Sequence, residues 1–206
     1  MNIFLYVIIL SISTPLFSQT KPDALVEYRN GNYEEAIAIC KIELQENASN
    51  VDSHIVMCWS LIKLSRYSEA REYARTVRSI SRYDPRVSEI LGEINFYEGR
   101  NREALQYFQE YLNLSTEGPR TESVYYFLGE LYIRQGHFRQ ADIALSLAVH
   151  WQPQNTLWLT RLAYAQEKAG DYQVAAVTYQ RALALDSRFQ DALRGLERTR
   201  QAMKIR

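Results

Sequence analysis

The sequence predicts an all-α solenoid, and three observations lead there: a short turn-to-Ala motif, with an aromatic between in four of its five copies, that returns at nearly constant spacing, a scarcity of proline, and an abundance of tyrosine. The chain has 206 residues, of which 5 are Pro and 15 are Tyr. Proline breaks helix interiors, whereas tyrosine buries its ring and keeps its hydroxyl wet, so these counts suit amphipathic helices packed through large rings. With 47% hydrophobic and 23% charged residues the chain can bury a continuous core. Its 24 basic and 24 acidic residues cancel, so no global field recruits nucleic acid or a membrane surface.

In chain order, the first element is an uncharged leader. The first charged residue is Lys21, and before it stand the apolar run Ile3 to Leu10, the helix breaker Pro15 and the small Ser18. This order predicts a cleaved export signal over residues 1–18, leaving 19–206 as the mature domain, periplasmic or secreted. Leu16 occupies a place where signal cleavage prefers a small residue, and a cut after Ser13 suits that rule better. Apolar residues continue to Phe17, so an uncleaved membrane anchor is the alternative. No Cys follows the run to take a lipid.

The repeat comes next. Its five copies are Gly31-Asn32-Tyr33-Glu34-Glu35-Ala36, Ser65-Arg66-Tyr67-Ser68-Glu69-Ala70, Gly99-Arg100-Asn101-Arg102-Glu103-Ala104, Gly136-His137-Phe138-Arg139-Gln140-Ala141 and Gly170-Asp171-Tyr172-Gln173-Val174-Ala175. Successive alanines lie 34, 34, 37 and 34 residues apart. A period of this length marks a stack of identical supersecondary units. Small residues such as Gly129, Ala141 and Ala148 let two helices approach closely, and Gly136 supplies the positive φ of a tight connection. The last unit needs a cover, which residues 188–204 provide through Phe189, Ala192, Leu193, Leu196 and Met203 at helical spacing. The extra three residues fall in Ser115-Thr116-Glu117-Gly118-Pro119-Arg120, where Gly118-Pro119 stops a helix. This is read as a loop insertion and not a domain boundary, because the phase resumes at once.

The pattern resembles the tetratricopeptide repeat, a 34-residue pair of antiparallel helices. Copy four carries it best through Tyr125, Leu128, Gly129, Tyr132, Gly136, Phe138, Ala141, Ala148 and Pro153. Copy three adds Leu91, Gly92, Ala104 and Phe108, and copy five Leu162, Ala163, Tyr179, Ala182 and Leu183. The resemblance covers residues 22–187 and implies five hairpins (about 22–50, 51–84, 85–120, 121–154 and 155–187) in a right-handed superhelix closed by the capping helix. It also implies a concave groove lined by the first helix of each hairpin. Carried over residue by residue, that register selects Ile55, Trp59, Ile62 and Lys63, then Arg86, Glu89, Glu93, Phe96 and Tyr97. Repeat four adds Tyr126, Glu130, Ile133 and Arg134, and repeat five Thr160, Tyr164 and Lys168.

The groove so assigned is aromatic and aliphatic with carboxylates at its middle, which suits a basic or amphipathic protein segment with apolar anchors. Some members of the family grip a C-terminal carboxylate with Lys and Asn; here those places carry Ile55, Val56, Trp59, Glu89 and Glu93, so an acidic peptide is disfavoured. Alternatively these side chains pack on each other.

Catalytic chemistry finds little support. His54, His137 and His150 stand at no metal-ligand spacing, and the sequence has no phosphate loop or nucleophile elbow. No cofactor, no nucleic acid and no enzyme activity are expected. Arg71, Arg75, Arg78 and Arg82 form one helical stripe, which either meets an acidic partner or is a solvated face neutralised by neighbouring Glu. The basic C-terminal helix, with Arg188, Arg194, Arg198, Arg200, Lys204 and Arg206, could touch a membrane surface or simply cover apolar surface with its stems. Cys40 and Cys58 fall at buried-type positions, where a small hydrophobe is favoured over a disulfide. The function expected is an exported scaffold or adaptor that binds a protein segment, in envelope assembly if the source is bacterial. The alternative is a structural subunit that forms a homo-oligomer through its terminal repeats.

Overall fold

The computed structural model describes residues 22–205, which form eleven α-helices and no strand. They are α1 (Ala24–Asn30), α2 (Tyr33–Glu46), α3 (Val51–Lys63), α4 (Tyr67–Ile80), α5 (Pro85–Tyr97), α6 (Asn101–Leu114), α7 (Thr121–Arg134), α8 (Phe138–Trp151), α9 (Thr156–Ala169), α10 (Tyr172–Leu185) and α11 (Gln190–Lys204). Consecutive helices pair into five hairpins, each hairpin stacks on the next, and α11 closes the end. The expected all-α solenoid is therefore what forms. The segment expected to be an export signal lies outside the described residues, and among those described no helix is long and apolar enough to cross a membrane.

Local chemistry sets the helix ends. Four of the first helices start at an Asx residue, Asp23, Asn50, Asp84 or Asn155, whose side chain accepts from backbone N–H groups of the first turn. The helix α7 is the exception, with Arg120 at its N-cap and no side-chain cap. Each turn within a hairpin contains one residue of positive φ: Gly31 at 84°, Ser65 at 59°, Gly99 at 76°, Gly136 at 75° and Gly170 at 89°. Ser65 occupies a glycine's place in this series.

Hairpins close through matched sizes. A Cβ on Gly92 would run into the ring of Phe108, and one on Gly129 into Leu145. Ala141 is wholly buried one turn before Leu145 on α8. At the cap, Gly195 admits the ring of Tyr179. Ala192 and Leu196 of α11 are buried, while Leu193 stands 39% exposed.

Cys40 and Cys58 are buried free thiols in the first core cluster, and the Cys58 thiol donates to the Ala70 carbonyl at 3.3 Å. Burial pushes the Cys40 thiol up to about 12. The arginine stripe proves to be shared out among carboxylates. Arg71 pairs with Glu98, Arg75 with Glu72 at 2.7 Å and Arg78 with Glu110 at 3.0 Å, while Arg82 lies over Tyr83.

Candidate protein-binding groove

The first helices α3, α5, α7 and α9 bring the sequence-selected residues to one side of the stack, but they do not leave all of them at the surface. Ile55, Ile62, Glu89, Glu93 and Phe96 are buried. Here the expectation of a groove-lining row is corrected: neighbouring first helices sit close enough to enclose these side chains between repeats. Trp59, Tyr126, Glu130, Ile133 and Tyr164 are half-buried, Arg134 is exposed, and Tyr97 is 46% exposed.

At the centre, a single guanidinium answers both carboxylates of α5. Arg120 donates to Glu89 Oε1 at 2.6 Å through Nη2 and at 3.0 Å through Nε, and to Glu93 Oε1 at 2.6 Å. Trp59 Nε1 donates to Glu89 Oε2 at 3.1 Å, and the same guanidinium lies 5.7 Å from the Trp59 ring centroid. The Glu89 and Glu93 side chains are 0% and 4% exposed. Desolvation, followed by the charge of Glu89, holds the Glu93 carboxyl well above the usual carboxylate range. These two acids are thus consumed by the fold, and are not a free patch that selects a basic ligand. Sequence reasoning missed Arg120 because it placed the residue in a loop. The available signal was its position, a basic residue where the other first helices carry Asp or Asn.

The same logic repeats down the stack. Arg161 grips Glu130 through Nε at 2.5 Å and Nη2 at 2.8 Å, and Arg198 grips Glu167 at 3.0 and 2.9 Å. In each pair the arginine lies 31 residues after its acid, one helical turn short of the equivalent place on the next repeat. Arg134 ties repeat four to repeat three differently. It donates to the Phe96 carbonyl at 3.1 Å and stacks 3.8 Å above that ring.

With the charges paired, rings remain. Tyr97 stacks on Tyr67 at 5.5 Å, Tyr126 stacks on Trp158 at 5.1 Å, and Trp59 leans on Tyr28 at 5.8 Å. Tyr164 lies beneath Arg161 and Lys168. Burial raises the Tyr97 and Tyr126 hydroxyls to about 12, so both rings stay neutral amphipathic surfaces at physiological pH. Among the described residues no cluster of His, Cys, Asp and Glu could hold a metal ion. The arrangement offers contact area and hydrogen bonds.

Among curated proteins, none matches the sequence. Solved structures do. PilF of Pseudomonas aeruginosa superposes with a TM-score of 0.76 at 19% identity, covering 88% of this chain and 81% of its own. PilW, a type IV pilus biogenesis factor, gives 0.74 at 21% identity, with 88% and 83% covered. YrrB, a protein of this fold with an unusual peptide-binding site, gives 0.63 at 14% identity, with 84% and 88% covered. At these identities the likeness is one of fold. The sequence pattern described as Tetratricopeptide repeat matches residues 58–120 and 126–188, more than half of the chain, so the protein belongs to the tetratricopeptide repeat family and has the architecture of a protein-interaction scaffold.

Proposed function

We propose that this protein is an exported, non-catalytic scaffold that holds an amphipathic protein segment in its concave groove. The observation that carries the reading is the row of partly exposed rings, Trp59, Tyr97, Tyr126 and Tyr164, on four consecutive first helices. Large rings with satisfied polar neighbours are good anchors, because they desolvate at little entropic cost. Since Arg120 and Arg161 already answer Glu89, Glu93 and Glu130, apolar contact carries the affinity and selection for a basic segment is weak. The apolar, uncharged leader supports export, and the likeness to a pilus biogenesis factor suits a role in assembling envelope structures.

Capture from a native envelope extract tests this. Tyr97→Ala and Tyr126→Ala should each weaken retention of a partner, with a loss of about 2 kcal/mol for a central anchor, while Arg75→Ala on the outer face should not. Retention that survives both tyrosine changes but fails with Arg75→Ala and Arg82→Ala would move the working surface to the outer helices.

A second reading, self-association, here through the outer helices of repeats four and five, is favoured by one observation. Ile143, Leu147 and Trp151 of α8 and Val174 and Val177 of α10 are exposed, at 64, 39, 53, 52 and 57%, and the two helices share a recess that Val149, His150, Val174 and Val177 help to line. Exposed apolar surface of this kind marks an interface. Light scattering of the full chain should then show a dimer that Ile143→Glu with Val177→Glu dissolves; a concentration-independent monomer would dismiss it.

A further inference from the structure

At the C-terminal end of the groove, α9 and α11 enclose a recess of about 220 Å³ whose wall carries three guanidinium groups, Arg161, Arg194 and Arg198, together with Thr160, Tyr164 and one carboxylate, Asp191. The acids that hold two of these arginines, Glu130 and Glu167, do not line the recess. Arg161 and Arg198 each spend Nε and Nη2 on their acid, and their Nη1 groups make no hydrogen bond among the described residues. Arg194 meets only Asp191, through Nη2 at 2.5 Å, with both side chains 65% exposed. A guanidinium has five N–H donors in a fixed fork, so a bidentate grip on one acid orients the remaining edge and leaves it unsatisfied. Two edges so oriented, with the singly bonded Arg194 beside them and one exposed acid on the same wall, present donors that match a small oxyanion.

We infer that this recess is a carboxylate subsite of the groove, which takes an acidic side chain or the C-terminal carboxylate of the bound segment. The inference rests on the groove reading for the segment itself; the oxyanion chemistry of the recess stands apart from it. It also runs against the expectation, drawn from the missing Lys and Asn positions in repeats two and three, that acidic ligands are disfavoured. Here the donors come from arginines of the last repeat and the cap.

The test uses the full chain and one helix-forming peptide of about 14 residues with Leu and Phe along one face. It is made in three forms: a terminal Glu with an amidated end, a terminal Gln with a free carboxylate, and a terminal Gln with an amidated end. Either carboxylate should strengthen binding over the neutral form by at least about fivefold, and the form that does so identifies the source. In Arg194→Gln that gain should vanish while the affinity of the neutral form is unchanged. A carboxylate that brings no gain, or a gain that persists in Arg194→Gln and in Arg194→Gln with Arg161→Gln, overturns the assignment. If none of the three forms binds, the groove reading fails on its own, and inorganic phosphate then probes the recess directly. Saturable shifts of the Arg161, Arg194 and Arg198 Nε–H resonances support the subsite, and their absence ends it.

Discussion

The two junctions that flank repeat four are built on different physics. Between repeats four and five, α8 packs broadly on α9, and the Glu130–Arg161 pair above it is 13% and 29% exposed. Between repeats three and four, α6 and α7 touch much less extensively, while two carboxylates that are all but sealed from solvent converge on Arg120. The three-residue insertion falls at this junction, where α7 starts at Arg120 and lacks the Asx cap seen on the other first helices. There a buried charge network with an indole hydrogen bond registers one repeat on the next. Such a network is sensitive to loss of a single partner in a way that a broad apolar face is not.

The largest expected effect follows from that asymmetry. Arg120→Ala strands the buried Glu89 carboxylate without a counter-charge and takes a hydrogen-bond donor from Glu93, and should cost about 3 to 5 kcal/mol of unfolding free energy, whereas Arg161→Ala, in a wetter pair, should cost about 1 kcal/mol. Urea denaturation of both variants decides the matter; equal losses would erase the distinction between the junctions.

The next effect is one of pH. Burial, then the Glu89 charge, raises Glu93 from 4.5 to about 8, against the opposing pull of Arg120 and Lys63. Between those values the folded chain holds a proton that the unfolded chain has released, so stability falls as pH rises through this window. The fall should be about 3 kcal/mol from pH 5 to pH 8, and Glu93→Gln should flatten it. A slope unchanged in Glu93→Gln would mean that Glu93 is ionised throughout.

Packing inside repeat four offers a control on both junctions. Ala141→Leu, at a wholly buried site, should overpack the hairpin by about 1 to 3 kcal/mol and should add to the Arg161→Ala loss only imperfectly, since both changes act around α7 and α9. Unchanged thermal stability would show that the α7–α8 register is wrong.

The smallest effect has the opposite sign. Ser65 is the only non-glycine residue of positive φ among the described residues, at 59°. Ser65→Gly should relieve left-handed strain and stabilise by up to about 1 kcal/mol, measurable as a raised denaturation midpoint. A loss instead would indicate that the serine's bond from the Tyr67 hydroxyl, 3.3 Å long, outweighs the backbone.

The fold was legible because its signals are local and repeated. A turn residue and an alanine, with an aromatic between them in four of the five copies, recur at a nearly fixed period, and φ at Gly136 and burial at Ala141 follow from side-chain size alone. The groove was less legible, since register says which way a residue points but not how far the next hairpin leans over it. Trp59, Tyr97, Tyr126 and Tyr164 keep some surface, whereas Glu89 and Glu93 are closed in by a residue from another repeat. That closure brings together residues 31 apart in the chain, a long-range property that no window of neighbouring residues contains. The exposed stripe of Ile143, Val174 and Val177 was equally hidden, because apolar residues in a helix pattern read as core until the tertiary packing leaves them outside.

The size matching within hairpins restricts how such a chain could have been reassembled by recombination. Gly92 is cut to fit Phe108, and Gly129 to fit Leu145, while the corresponding places of the second repeat hold Cys58 and Ala74, and those of the fifth Ala163 and Tyr179. A crossover that falls between hairpins moves each lock with its key. One that falls inside a turn, joining α3 to α10 for example, would set a cysteine against a tyrosine, and joining α7 to α4 would leave a glycine facing an alanine across a void. The permitted joints of this gene are therefore the connections after α2, α4, α6 and α8.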